Sequence, residues 1–191
     1  MGGGRMTNEQ VLQVFRETQA LLSGHFLLRS GLHSRQYFQC ALVLQYPRHA
    51  EKLCAALAAK LPAADAVISP AMGGLFVGHE LGRALGRRHI FAEKNAAGQL
   101  ELRRNFEVKP GQKFLVAEDV VTRGGRVQET IDIIQARGGV VAAVATVVDR
   151  SGGQANFGVP FVSLLRLEIE TFEPAKCPLC QEGMPVTKPG S

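Results

Sequence analysis

From residue 65 onward the chain alternates short apolar runs with segments of helical period, a rhythm that few folds accommodate. DAVIS (65–69), HIFAE (89–93), KFLVAED (113–119), VVAAVATVVDR (140–150) and VPFVSLLRL (159–167) have the length and composition of buried strands. Between them, LFVGHELGRALG and a segment opening near Val127, with Ile131 and Ile134 on the same face, read as helices. Strands apolar on both faces need cover on both, and right-handed crossovers place helices there. The pattern predicts an α/β fold: a central, mostly parallel sheet flanked by helices.

The first sixty residues follow a different rhythm. Thr7-x-x-Gln10 is a capping-box start, and Val11, Val14, Phe15, Thr18, Leu21 and Leu22 form one helical face that Gly24 stops. GHFLLRSGLHSRQYFQCALVL reads as strand, turn and strand, broken at Ser30-Gly31. Pro47 opens a helix to about Leu61, where Pro62 ends it. The expected organisation is an N-terminal extension over 1–6, with Met6-Thr7 as the natural start, and one domain over 7–191. Within that domain, 7–46 is a helix-plus-hairpin hood, 63–170 the core and 171–191 a tail. There is no internal repeat, low-complexity block or long linker.

A length of 191 residues suits one well-buried domain. A net charge of +5 and a pI near 9.3 point to anionic partners. The basic residues are dispersed apart from Arg87-Arg88 and Arg103-Arg104, which favours small phosphorylated anions over nucleic acid. The most apolar stretch, Val140 to Val148, is far short of the ~18–20 residues of a membrane span. MGGGRMTNEQ lacks the apolar core of a secretory signal, so a cytoplasmic protein with no membrane partner is expected. Cys40, Cys54, Cys177 and Cys180 do not make a disulfide framework. CPLC (177–180) has metal-ligand spacing, but without a second CxxC or a nearby histidine pair it reads as a plain C-terminal turn. His33 and His79 read as isolated structural histidines.

Ligands of open parallel sheets bind beyond the C-terminal strand ends. Four such ends are polar or glycine-rich: Ser69-Pro70-Ala71-Met72-Gly73-Gly74, Glu93-Lys94, Glu118-Asp119 and Asp149-Arg150. Thr122-Arg123-Gly124-Gly125-Arg126 sits where inward-turned N–H groups and a helix N-terminus would cradle a phosphate. Neither a Walker A loop nor a GxGxxG is present. Paired acids five residues before a phosphate nest suit a ribose 5-phosphate, with its hydroxyls on the acids.

FLVAEDVVTRGG resembles the signature with which type I phosphoribosyltransferases bind 5-phosphoribosyl diphosphate (PRPP). GHFLLRSGLHSRQYF, ISPAMGGLFVGHELGRALG, LELRRNF, VVDRSGG and the ending EPAKCPLCQEGMPVTKPGS extend the likeness to the orotate phosphoribosyltransferases over nearly the whole chain. The resemblance implies Mg²⁺-dependent transfer of phosphoribose from PRPP to orotate in pyrimidine biosynthesis, by a homodimer. It places Glu118 and Asp119 on the ribose, Val120 to Arg126 on the 5′-phosphate, and Ala71, Met72 and Gly73 on the pyrophosphate. Lys94, Arg103 and Arg104 belong to a closing loop, with Lys94 catalytic beside Asp119 and Glu118. Thr122, Arg150, Tyr37, Phe38 and Arg29 face orotate, and Mg²⁺ is held mainly through PRPP, with Asp119 as a candidate ligand.

Some positions depart from the family's pattern. Arg123 and Arg126 replace small or hydroxyl residues, Met72 stands where other members have lysine, and Ala96-Ala97-Gly98 lacks the loop's lysine and histidine. Two other readings remain: a phosphoribosyltransferase for a different base, and a non-catalytic PRPP-binding regulator of nucleic acid. An arginine at position 150 favours an anionic base, and no helix-turn-helix precedes the domain.

Overall fold

The computed structural model describes residues 6–28 and 30–189. Helix α1 (Asn8–Glu17) opens on the expected capping box: the Thr7 hydroxyl accepts from the Gln10 N–H, and the Gln10 side chain returns the bond to the Thr7 N–H. Val11, Val14 and Phe15 form its buried face. The helix ends earlier than its apolar periodicity suggests. Thr18 caps it, and Leu21 and Leu22 instead begin strand β1 (Leu21–Leu27), with Gly24 inside that strand.

Strand β2 (His33–Phe38) pairs antiparallel with β1. A two-residue strand from the tail, β9 (Thr171–Phe172), joins its other edge. The CALVL segment does not continue the hairpin: it forms the short helix α2 (Cys40–Leu44). A five-residue apolar run carries no period that separates strand from helix, and here packing of Cys40, Val43 and Leu44 into the core decides it. Helix α3 (Pro47–Ala58) follows, with proline in its first turn.

The remaining elements build the predicted sheet. They are β3 (Ala66–Pro70), α4 (Gly74–Leu85), β4 (Arg88–Lys94), β5 (Leu100–Leu102), β6 (Lys113–Val121), α5 (Gly125–Gln135), β7 (Val140–Asp149) and β8 (Phe161–Arg166). The order is β5-β4-β3-β6-β7-β8, parallel except for β5, which turns back along β4. The polar stretch 94–111 therefore contains an edge strand. Alternation along β6 divides the core: Leu115 and Ala117 pack towards α1, α3 and α4, whereas Phe114 and Val116 pack towards Val127, Ile131 and Ile134 of α5. Past β9, a 3₁₀ turn (Pro174–Lys176) leads into helix α6 (Pro178–Gln181).

One titrating group sits inside this frame. His89 on β4 bonds the Ser69 hydroxyl at 2.8 Å, and burial, with the nearby His79, lowers its pKa from 6.5 to about 4. A lowered imidazole pKa means that the unfolded chain takes up the proton first as pH falls. Stability is thus whole above pH 6.5 and declines between pH 6.5 and about 4. Screening at this half-buried site keeps the slope below ~1.4 kcal/mol per pH unit. Urea titrations of His89→Gln across that window should show a flatter dependence than the parent; an unchanged slope would assign the proton uptake elsewhere.

Candidate active site

Parallel register brings the polar strand ends to one rim. Pro70 lies opposite Ala92, the Ala71 N–H donates to the Ala92 carbonyl at 2.8 Å, and Val121 lies opposite Asp149. Strand β6 runs two residues beyond the expected Asp119, so Val120 and Val121 still pair with β7. That extension fixes the backbone carrying both acids. The Thr146 hydroxyl donates to the Asp119 carbonyl at 3.0 Å, and the Val120 N–H donates to the Asp119 carboxylate at 2.7 Å.

The two acids occupy different surroundings. Glu118 is buried, and burial, followed by the neighbouring Asp119 charge, pushes its carboxyl well above the usual carboxylate range. Asp119 is half-buried, against the backbone of the 70–74 turn. A Cβ at Gly73 would stand 2.9 Å from Asp119 Oδ1, so glycine permits this approach of turn to acid. The Ala71–Met72 peptide in the turn is cis.

Beyond Val121 the chain makes an open nest. Thr122, Arg123 and Gly125 are exposed, and Gly124, at φ +76°, is the N-cap of α5. No side chain caps this helix, so its first N–H groups are left for an anion. Gly124 has a second constraint: a Cβ there would come within 2.6 Å of the Phe157 ring.

Arg150 is held from the other side. Its N–H donates to the Val121 carbonyl at 2.8 Å. Before it, buried Asp149 accepts from the Ser151 N–H and hydroxyl and from Arg166, bracing the turn. Burial lowers the proton affinity of the Arg150 guanidinium, opposed by Tyr37 and Cys40. Its buried Nε has no hydrogen-bond partner among the described residues. The buried Cys40 thiol is raised by burial, then by Asp119, with Arg150 opposing and Glu118 adding to the rise. Cys40, at the start of α2, thus lies among the acids and the arginine, a proximity that nothing in the local sequence signals.

The remaining candidate residues divide. Tyr37 is half-buried, its ring 5.8 Å from that of Phe26. Phe38 turns its ring into the core, 5.5 Å from Phe15. Lys94 is exposed at the end of β4. Arg103 pairs with Glu101, and Arg104 makes two bonds to Glu93 while lying over the Phe91 ring. Arg126 does not turn its guanidinium to the nest: it binds Glu129 and the Gly98 carbonyl, and Glu129 also receives the Leu100 N–H. A groove of about 550 Å³ between this hairpin tip and α5 lies outside the rim. Arg29 lies outside the described residues.

The expectation of an isolated His33 and a partnerless CPLC turn requires correction. His25 and His33 meet across the β1–β2 hairpin, with His25 Nε2 2.7 Å from His33 Nδ1, and both abut Cys180. The hairpin turn and the return of the tail, 144 residues after His33, bring together groups that no sequence spacing links.

A parallel sheet whose central strand ends in two acids and an uncapped helix N-terminus defines a phosphoribosyltransferase, and residues 44–173 match the family model described as "Phosphoribosyl transferase domain". The orotate phosphoribosyltransferase of Heliobacterium modesticaldum is 55% identical over 190 residues, 97% of this chain and 99% of its own length. That of Carboxydothermus hydrogenoformans is 54% identical over 183 residues, covering 94% and 95%. The crystal structure of orotate phosphoribosyltransferase from Aeropyrum pernix superposes with a TM-score of 0.70 at 25% identity, over 82% of this chain and 93% of that one. The chain belongs to the orotate phosphoribosyltransferase family.

Proposed function

We propose that this rim transfers the 5-phosphoribosyl group from PRPP to orotate, giving orotidine 5′-phosphate and pyrophosphate, in the cytoplasm. The observation that carries the choice of base is Arg150: a half-buried guanidinium beside Tyr37, its buried Nε without a hydrogen-bond partner among the described residues, suits an anionic carboxylated base. Thr122 completes the base contact, and Phe38, with its ring in the core, contributes through its backbone.

Glycosyl transfer develops positive charge at the ribose. Asp119 stabilises that charge and accepts from one ribose hydroxyl. Glu118, held towards its protonated form, donates to another. Val120 to Arg126 hold the 5′-phosphate with backbone N–H groups and the Thr122 hydroxyl, and exposed Arg123 adds charge at the mouth. Ala71, Met72 and Gly73 present backbone to the pyrophosphate. Lys94, with Arg103 and Arg104 behind it, closes over the leaving group and excludes water.

Hard oxygen donors at a strand end, flush against the 71–73 turn, fit Mg²⁺, which Asp119 would hold together with the substrate. When bound, Mg²⁺ neutralises charge on the departing pyrophosphate. Exposed Met72 (78%) and Phe76 (58%), four residues apart where α4 begins, offer an apolar face for a homodimer in which each hairpin reaches the neighbouring site.

Loss of orotate absorbance should require both PRPP and Mg²⁺, with adenine and hypoxanthine untouched. Arg150→Gln should lower kcat/KM for orotate about 100-fold while leaving PRPP binding nearly unchanged. Consumption of a purine instead would overturn the base assignment.

A further inference from the structure

We infer that His25, His33, Cys177 and Cys180 form a structural zinc site that clamps the C-terminal tail onto the β1–β2 hairpin. Each residue offers one ligand atom, and the four atoms lie within 4.8 Å of one another. A tetrahedral zinc with Zn–N near 2.05 Å and Zn–S near 2.3 Å sets nitrogen–sulfur separations of about 3.6 Å and a nitrogen–nitrogen separation of about 3.3 Å. The sulfur–nitrogen distances are 3.6 Å (Cys177–His25), 3.8 Å (Cys180–His25) and 3.3 Å (Cys180–His33). Among these four distances the histidine nitrogens, 2.7 Å apart, would have to separate, by about 0.6 Å, and the two remaining pairs lie within 4.8 Å.

The tautomer is already set for a metal. His25 Nδ1 donates to the Met184 carbonyl at 2.8 Å, which leaves the Nε2 lone pair aimed into the cluster. An outer hydrogen bond of this kind is how metal-bound histidines are oriented. Cys177, His25 and His33 are buried and Cys180 is at the surface, which gives the ion an entry. Two nitrogens with two sulfurs in a tetrahedron select zinc over the harder Mg²⁺ of the active site.

The surrounding contacts show what the clamp would hold. The Leu27 N–H donates to the Thr187 carbonyl, the Thr187 N–H donates to the His25 carbonyl, and β9 pairs with β2 at His33 and Ser34. The same hairpin carries Tyr37. The ion is therefore a positioning element for the base-binding side of the site, and takes no part in the chemistry.

Metal analysis of the purified full chain, after brief dialysis against a weak chelator, should find about one zinc per chain. Cys180→Ser and His33→Ala should lose it, and Cys54→Ser, buried elsewhere, should keep it. Because the first two variants also remove contacts that hold the hairpin, the deciding measurement uses the parent protein exchanged with cobalt(II). Intense visible bands of four-coordinate cobalt with near-ultraviolet thiolate charge transfer would establish a site with sulfur ligands. Zinc-free protein with freely titrating thiols or a Cys177–Cys180 disulfide, or a weak six-coordinate cobalt spectrum, would overturn the inference. These readouts are independent of turnover, so they hold whichever base the rim accepts.

Discussion

Asp119→Asn should reduce kcat/KM for PRPP about 100- to 1,000-fold while leaving the fold intact. That is the usual cost of removing one electrostatic contact to a transition state, about 2.7–4 kcal/mol. The asparagine carbonyl can still accept from the Val120 N–H, now bonded at 2.7 Å, so local geometry survives. The charge and one acceptor oxygen are lost. Because the Asp119 charge adds to burial in raising the Glu118 carboxyl, the substitution also lets that carboxyl move part of the way back towards its ordinary range. The melting temperature should stay level or rise, since the buried Glu118 carboxyl no longer faces an adjacent negative charge. Activity within threefold of the parent would remove Asp119 from the ribose.

Gly124→Ala should be the most damaging single-methyl change at the rim. At φ +76° an alanine pays the left-handed penalty of about 1–2 kcal/mol, and its Cβ would meet the Phe157 ring at 2.6 Å. A combined loss of about 2–4 kcal/mol corresponds to a fall of roughly 4–16 °C in melting temperature for a chain of this size. The KM for PRPP should rise as the nest distorts. Gly125→Ala is the control, because nothing stands within 4 Å of its Cβ and its φ is ordinary. Thermal melts of both variants, compared with PRPP titrations, test the pair; equal stability of the two would contradict the strain at Gly124.

Much of the architecture was legible because burial on both faces of a strand leaves an unbroken apolar run. Phe114 to Ala117 and Val140 to Val148 announce central strands, and Glu118-Asp119 announces where the first of them reaches its polar end. The capping box at Thr7 was equally direct. Ambiguity arose where runs are short. Leu21 and Leu22 continue the helical period of α1 yet belong to a strand, and Cys40–Leu44 follows a strand yet coils. What lay beyond reach was long-range side-chain choice. Arg126 is engaged by the Gly98 carbonyl on the β4–β5 hairpin, Phe38 by Phe15, and His25 by a tail that follows more than 150 residues later. Each depends on which distant surface arrives, and local pattern holds no record of that.

The glycine cap of α5 has an energetic consequence. A serine or aspartate N-cap in the usual extended conformation would satisfy a first-turn N–H, but at φ +76° and against the Phe157 ring position 124 has no room for one. Such a side chain would also occupy the cradle. The chain forgoes that gain, so the opening turn of α5 is tied down less firmly than the rest of the helix. Amide hydrogen exchange at Arg126 and Val127 should therefore be faster than at Ile131, and should slow when a phosphate ester fills the nest. On the proposed reading the substrate would act as the missing cap, and the helix would reach its full local stability only while the site is occupied.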